Sequence, residues 1–116
     1  MKDIFSISGK TALVTGGSRG IGLMIAKAYV QSGAKVYISS RNSDVCNQVA
    51  LKLSKVGECI AIPSDMSNEE GVSDLCQKLK LHESSLDLLV NNAGKTWGSS
   101  LDKYPIDKWD MVMKVN

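Results

Sequence analysis

The chain has 116 residues, of which 43% are hydrophobic and 22% charged, with 14 basic side chains against 12 acidic ones and a net charge of +2. That length fits one domain or part of one. The apolar content supports a packed core and excludes disorder, whose mark is low hydrophobicity with high net charge. The near balance of charge leaves no electrostatic footprint for nucleic acid or for an anionic membrane.

The three cysteines, Cys46, Cys59 and Cys76, are widely spaced, and His82 is the single histidine. No CxxC pair or Cys/His cluster occurs, so neither a metal site nor a disulfide framework is expected. The cysteines read as buried thiols in a reducing compartment. The opening stretch MKDIFSISGK has no signal-peptide character, and no window approaches the roughly 18 apolar residues of a membrane span. The expectation is a cytoplasmic protein.

Along the chain, two hydrophobic periods alternate. Thr11 to Thr15 (TALVT) is a short run of β-formers, followed at once by the glycine-rich stretch Gly16 to Gly22. A helical pattern then places Ile21, Ile25, Ala28 and Tyr29 on one face and ends at Gly33, a residue suited to the C′ position. Lys35 to Ser39 (KVYIS) is a second strand. Val45, Val49 and Leu53, with Cys46 and Ala50 beside them, mark a second helix that stops before Gly57. Cys59 to Pro63 (CIAIP) is a third strand. Ser67 and Glu70 fit a capping box for a third helix, in which Val72, Leu75, Cys76 and Leu79 follow at i, i+3, i+4 and i+7. Leu86 to Asn91 (LDLLVN) is a fourth strand. A loop through Trp97 leads to a fourth helix beginning near Ile106, with Pro105 acceptable in its first turn.

The order β-α-β-α-β-α-β-α implies parallel pairing through crossovers. Strands that are apolar throughout fit a sheet covered on both faces. The expected class is an α/β doubly wound sheet of the Rossmann type, with strand order 3-2-1-4. The last helix has Trp109, Val112 and Met113 in mid-pattern at Asn116, without a capping signal. An incomplete fold is therefore expected, with residues 1–116 forming the first part of a longer domain.

Gly16, Gly20 and Gly22 lie between a strand and a helix, spaced G-x-x-x-G-x-G. Glycines there permit a tight turn and let bare backbone approach a pyrophosphate, while the following helix aims its free N–H groups and positive dipole end at the anion.

The stretch Thr15-Gly16-Gly17-Ser18-Arg19-Gly20-Ile21-Gly22 resembles the cofactor signature of the short-chain dehydrogenase/reductase family. Asn91-Asn92-Ala93-Gly94, where the fourth strand ends, resembles that family's second signature. Asp65, with Met66 after it, matches the adenine-contacting aspartate, and Asn116 in "MKVN" matches the catalytic asparagine. The resemblance runs over the whole chain but over only about the first half of a family member. Within the family, "ALVTGGSRGIG", "VNNAG" followed by "TWG", and "YPIDKW" are most similar to bacterial 3-oxoacyl-thioester reductases of the rhamnolipid-biosynthesis type.

The resemblance implies a cofactor site made of Thr15, Gly16, Ser18, Arg19, Gly20, Ile21, Gly22, Arg41, Asp65, Met66, Asn92, Ala93 and Gly94. Binders of NAD place an acidic residue after the second strand to hold the ribose 2′-hydroxyl. Here Ser39-Ser40-Arg41-Asn42 offers no carboxylate before Asp44. The planar, permanently charged Arg41 suits a 2′-phosphate instead, and Arg19 is placed to flank it. The expected cofactor is therefore NADP(H). Asp65 has an alternative reading as a helix-approach residue before Ser67.

In the family Asn116 would hold a water in a proton relay, while a serine, a tyrosine and a lysine further along carry the chemistry. Tyr104 and Lys108 imitate the Y-x-x-x-K spacing, but they precede Asn116, and Pro105 interrupts the helix that would align them. They read as a solvated helix entry. Trp97 is a candidate for lining a substrate channel, and Trp109 reads as core. The resemblance implies an NADPH-dependent reductase acting on a small-molecule carbonyl substrate, a 3-oxoacyl thioester foremost, and a homo-oligomer (dimer or tetramer) in full-length form. The alternative is a truncated, inactive nucleotide-binding fragment.

Overall fold

Residues 6–92 are described by the computed structural model. They run β1 (Thr11–Thr15), α1 (Gly20–Gln31), β2 (Lys35–Ser39), α2 (Ser43–Leu53), β3 (Glu58–Ala61), α3 (Glu69–His82) and β4 (Leu88–Asn91). The strands form one sheet in the order β3-β2-β1-β4, and every neighbouring pair is parallel. Fold class and strand order agree with the expectation. The segment expected to form a fourth helix lies outside the described residues, as do Ala93, Gly94, Trp97, Tyr104, Lys108, Trp109 and Asn116.

Side chains of successive strand residues point to opposite faces, and the two faces have separate cores. Val14, Val36 and Ile38 pack with Ala26 and Val30 of α1 and with Cys46, Ala50 and Leu53 of α2. Leu13, Tyr37 and Ile62 pack with Leu75 and Leu79 of α3 and with Leu86. Two helices therefore cover one face and one helix covers the other. This explains strands without polar alternation, since neither face of β1 or β2 meets water.

The inward face of α1 is shifted from the expected one, and that of α2 in part. In α1 the buried residues are Gly22, Ala26 and Val30, whereas Ile21 is 68% exposed. In α2 they are Cys46, Ala50 and Leu53, all three among the expected residues, while Val45 is exposed and Val49 only half-buried. Both helices turn small residues to the sheet, so closeness of approach outweighs side-chain size. The α3 face of Val72, Leu75, Cys76 and Leu79 is buried as expected. Its cap differs. Asn68, not Ser67, accepts the helical N–H, from Gly71 at 2.7 Å, because the Asp65 carboxylate already holds both the Ser67 N–H and its hydroxyl.

Two strand limits also move. β3 begins at Glu58 and ends at Ala61. Pro63 has no N–H to donate, yet Ile62 and Ser64 still donate to the Ile38 and Ser40 carbonyls. β4 begins at Leu88, and ahead of it the Asp87 backbone N–H donates to the Thr11 carbonyl while its carboxylate accepts from the Thr11 N–H at 2.9 Å.

Where β2 begins, a charged cluster joins the sheet to the end of α3. The Tyr37 hydroxyl donates to Glu83 Oε2 at 2.6 Å, and Lys35 Nζ lies 2.6 Å from the same oxygen. Lys35 and then Tyr37 hold the Glu83 carboxyl below the usual range, while burial and then Glu83 push the Tyr37 hydroxyl up to about 12. Removing the carboxylate by Glu83→Ala should cost about 1.5–3 kcal/mol near neutral pH, toward the low end because Lys35 is partly solvated. A carboxyl depressed on folding adds stability above its unfolded value near 4.5 and loses it as pH falls through the lower folded value. Urea unfolding across pH should therefore show wild type and variant converging at acid pH. A gap that stays constant there would refute the pairing.

Candidate functional site

All four strands point their C-terminal ends at one edge, and parallel sheets of this kind bind ligands outside that edge. A cleft of about 660 Å³ opens there. The turn after β1 supplies Gly16, Ser18, Arg19, Gly20 and Ile21; the end of β2 supplies Ser39, Ser40 and Arg41. Ser64, Asp65, Met66 and Ser67 come from the segment after β3, and Asn92 follows β4.

The turn is built on backbone that only glycine adopts readily. Gly16 and Gly20 have φ of 67° and 60°, in the left-handed region. The Gly16 N–H donates to the Ser39 carbonyl at 2.7 Å, which pins the turn to β2. Thr15 lies behind the cleft and fastens the turn to β4. Its hydroxyl accepts the Asn92 N–H at 2.9 Å and lies 3.2 Å from Asn91 Oδ1. Gly22 is also behind the cleft. A Cβ there would overlap the Gly16 carbonyl oxygen and sit 2.6 Å from Asn92 Nδ2.

The electrostatics favour an anion at one end. Helix α1 starts with Arg19 in extended backbone, with no side-chain cap and no acidic residue in its first turn. Its free N–H groups and dipole end therefore face the cleft uncompensated. In α2 and α3 the side chains of Asn42 and Asn68 take that role. No carboxylate follows β2 before Asp44 in the first turn of α2, and Arg41 is exposed at the rim. Across from it, Asp65 is held below the usual carboxylate range by the Ser67 hydroxyl, then the Ser67 N–H, with the Arg41 charge adding to this. Gly71 packs against Asp65 so closely that a Cβ there would overlap the Asp65 carbonyl oxygen.

Of the residues expected to bind cofactor, the structure brings Gly16, Ser18, Arg19, Gly20, Ile21, Arg41, Asp65, Met66 and Asn92 to the cleft. Thr15 and Gly22 stand behind it. The lining also includes Ser39, Ser40, Ser64 and Ser67, which the sequence reading did not select. Their common signal is position, at the end of β2 or in the segments that follow β2 and β3. Among the described residues, no group of three His, Cys, Asp or Glu is arranged to hold a metal, and no helix is long and apolar enough to cross a membrane.

The sequence model for short chain dehydrogenases matches residues 10–116. The chain belongs to that family. Among short-chain dehydrogenases, it is 48% identical over 116 residues to a rhamnolipids biosynthesis 3-oxoacyl-[acyl-carrier-protein] reductase of Pseudomonas aeruginosa, covering 100% of this chain and 45% of the relative. An uncharacterized oxidoreductase of Bacillus subtilis is 36% identical over 107 residues, covering 91% of this chain and 42% of the relative. Among solved structures, the NADP active-site complex of Pseudomonas aeruginosa RhlG superposes with a TM-score of 0.75 at 45% identity, over 96% of this chain and 42% of that one. An L-sorbose reductase of Gluconobacter frateurii, solved with NADPH and L-sorbose, gives 0.73 at 31% identity, over 91% and 41%. The chain thus spans less than half the length of the relatives it matches.

The two helix-side glycines differ in a measurable way. A Cβ at Gly20 would meet nothing within 4 Å, so Gly20→Ala carries only the left-handed backbone penalty of about 1–2 kcal/mol. Gly22 is helical and carries no such penalty, but a Cβ there must displace the Gly16 backbone carbonyl as well as Asn92, which puts its overpacking cost at or beyond the upper end of about 1–3 kcal/mol and so above that of Gly20→Ala. Urea unfolding of both variants checks the order. Equal or reversed losses would show that α1 does not pack against the turn as described.

Proposed function

We propose that this chain binds NADP(H) in the cleft and serves an NADPH-dependent reductase of 3-oxoacyl thioesters. The carrying observation is the pairing of an uncapped α1 N-terminus with an arginine, and no carboxylate, where β2 ends. The 48% identity to a 3-oxoacyl-[acyl-carrier-protein] reductase supports the substrate class.

The residues present fit the cofactor. The α1 N–H groups and the Gly16–Gly20 backbone would take the pyrophosphate, which approaches closely because the glycines carry no side chains. Arg41 would take the 2′-phosphate with Arg19 beside it, through charge-assisted bonds in a planar fork. Asp65 would accept from the adenine amine with Oδ2, since Oδ1 is occupied by Ser67 while Oδ2 has only a long contact, 3.5 Å, from the Asn68 amide. Asn92, with Ala93 and Gly94 of the same signature, would border the cofactor beyond the turn. NADPH supplies hydride to a carbonyl carbon when bound. In this reading Asn116 belongs to the proton relay of the whole protein.

Arg41→Asp should weaken NADPH about 10- to 100-fold, the equivalent of a charged hydrogen bond worth about 1.5–3 kcal/mol. NADH binding should be retained or improved, because a carboxylate now stands where a ribose hydroxyl would donate. Calorimetric titration of both cofactors reads both effects. Equal affinity of the wild type for NADPH and NADH would overturn the cofactor assignment. For the substrate class, the whole protein should oxidise NADPH faster with a 3-oxoacyl thioester than with L-sorbose, and the reverse order would overturn it.

A further inference from the structure

Three serine hydroxyls at this cleft, those of Ser39, Ser40 and Ser64, have no hydrogen-bond partner among the described residues. Ser39 is 0% exposed and Ser64 8%. Their backbones are satisfied, for the Ser39 carbonyl accepts from Gly16 at 2.7 Å and the Ser64 N–H donates to Ser40 at 3.1 Å. Ser40 differs, because it is only partly buried and, one residue on from Ser39, belongs to the opposite face of the sheet. Buried hydroxyls without partners are uncommon and lower stability, so a pair of them at one cleft calls for a cause.

Their placement supplies one. Ser39 stands two residues after Tyr37, and Ser64 two after Ile62, and both of those pack on the α3 face. With a period of two, both serines belong to that same face. Both line the cleft, as does Asp65 beside Ser64. A hydroxyl donates as well as accepts, whereas an ionised carboxylate only accepts. Donors next to an acceptor complement the edge of an adenine, which offers a ring-nitrogen acceptor beside an exocyclic amine donor. A phosphate, which only accepts, would be repelled by Asp65.

We propose that Ser39 and Ser64 are adenine-reading residues, whose hydroxyls stay unpaired in the free protein and bond the adenine ring of the dinucleotide. This rests on the NADP(H) reading. It predicts effects of opposite kind on the free and the bound protein, which a purely structural serine would not give.

The test compares Ser39→Ala, Ser64→Ala and wild type by ligand-free urea unfolding and by titration with NADPH and with adenosine 2′,5′-bisphosphate. Each variant should be as stable as wild type or more stable without ligand. Each should bind both ligands about 3- to 10-fold more weakly, the effect of one neutral hydrogen bond. Variants that lose stability yet bind both ligands like wild type would overturn the proposal. So would a loss for NADPH alone, since the contact would then lie outside the adenosine half. Failure of the wild type to bind either ligand would instead bring down the NADP(H) reading, and this inference with it.

Discussion

Gly22 lies so close to the Gly16 carbonyl and the Asn92 amide that no methyl group fits between them. This approach of backbone to backbone fixes where α1 starts, and with it where four free N–H groups point. It also explains why α1 turns Gly22, Ala26 and Val30 to the sheet and leaves Ile21 in solvent. A larger residue on that seam would lift the helix from β1 and swing its N-terminus away from the cleft. Thr15 completes the junction by binding the Asn92 N–H with its hydroxyl, so turn, helix and fourth strand are held by contacts a few residues apart.

The two ends of the sheet treat polar groups in opposite ways. At the start of β2, Lys35, Tyr37 and Glu83 satisfy one another around a single carboxylate oxygen. That cluster lies half-buried between strand and helix, with every charge matched. At the far end, Ser39 and Ser64 have buried hydroxyls without a partner among the described residues, and α1 begins without a side-chain cap. A fold selected for stability alone would pair or replace these groups, since each exacts a desolvation penalty. Their concentration at one edge of the sheet separates the end that holds the structure together from the end left open to a ligand.

Much of this was legible in the sequence. β1 and β2 were bounded correctly because each is a short apolar run closed by glycine or serine, and the strand order followed from alternation of elements. The glycine turn was legible because its spacing has few other uses between a strand and a helix. The α3 face was legible too, but the α1 face was not and the α2 face only in part, because a pattern rule places the largest apolar residues inward, whereas α1 turns Gly22 and Ala26, and α2 Cys46 and Ala50, to the sheet. The α3 cap was misplaced from Ser67 to its neighbour because Asp65, two residues earlier, competes for Ser67 through a local side-chain bond. Ser39 and Ser64 went unselected because a serine ending a strand is ordinary in sequence; only burial without a partner distinguishes them, and burial is a property of the assembled fold.

Charge in the cleft also limits how a dinucleotide would lie there. The α1 terminus and Arg19 attract anions on the β1 side, and Arg41 does so where β2 ends, while Asp65 stands across the cleft after β3. With its pKa lowered, Asp65 stays ionised at any physiological pH, so it opposes a phosphate and favours a donor. An extended ligand with a pyrophosphate in the middle and an amine at one end then has one orientation that places every charge against its complement. Reversing it end to end would leave the pyrophosphate at the glycine turn but carry the 2′-phosphate away from Arg41 and set the nicotinamide, not the adenine, against Asp65. Within the proposed reading, the order of strand ends β1, β2 and β3 across the sheet translates into the order pyrophosphate, 2′-phosphate and adenine along the ligand. Because that order comes from parallel pairing through successive crossovers, the topology itself orients the cofactor, and the side chains refine which cofactor it is.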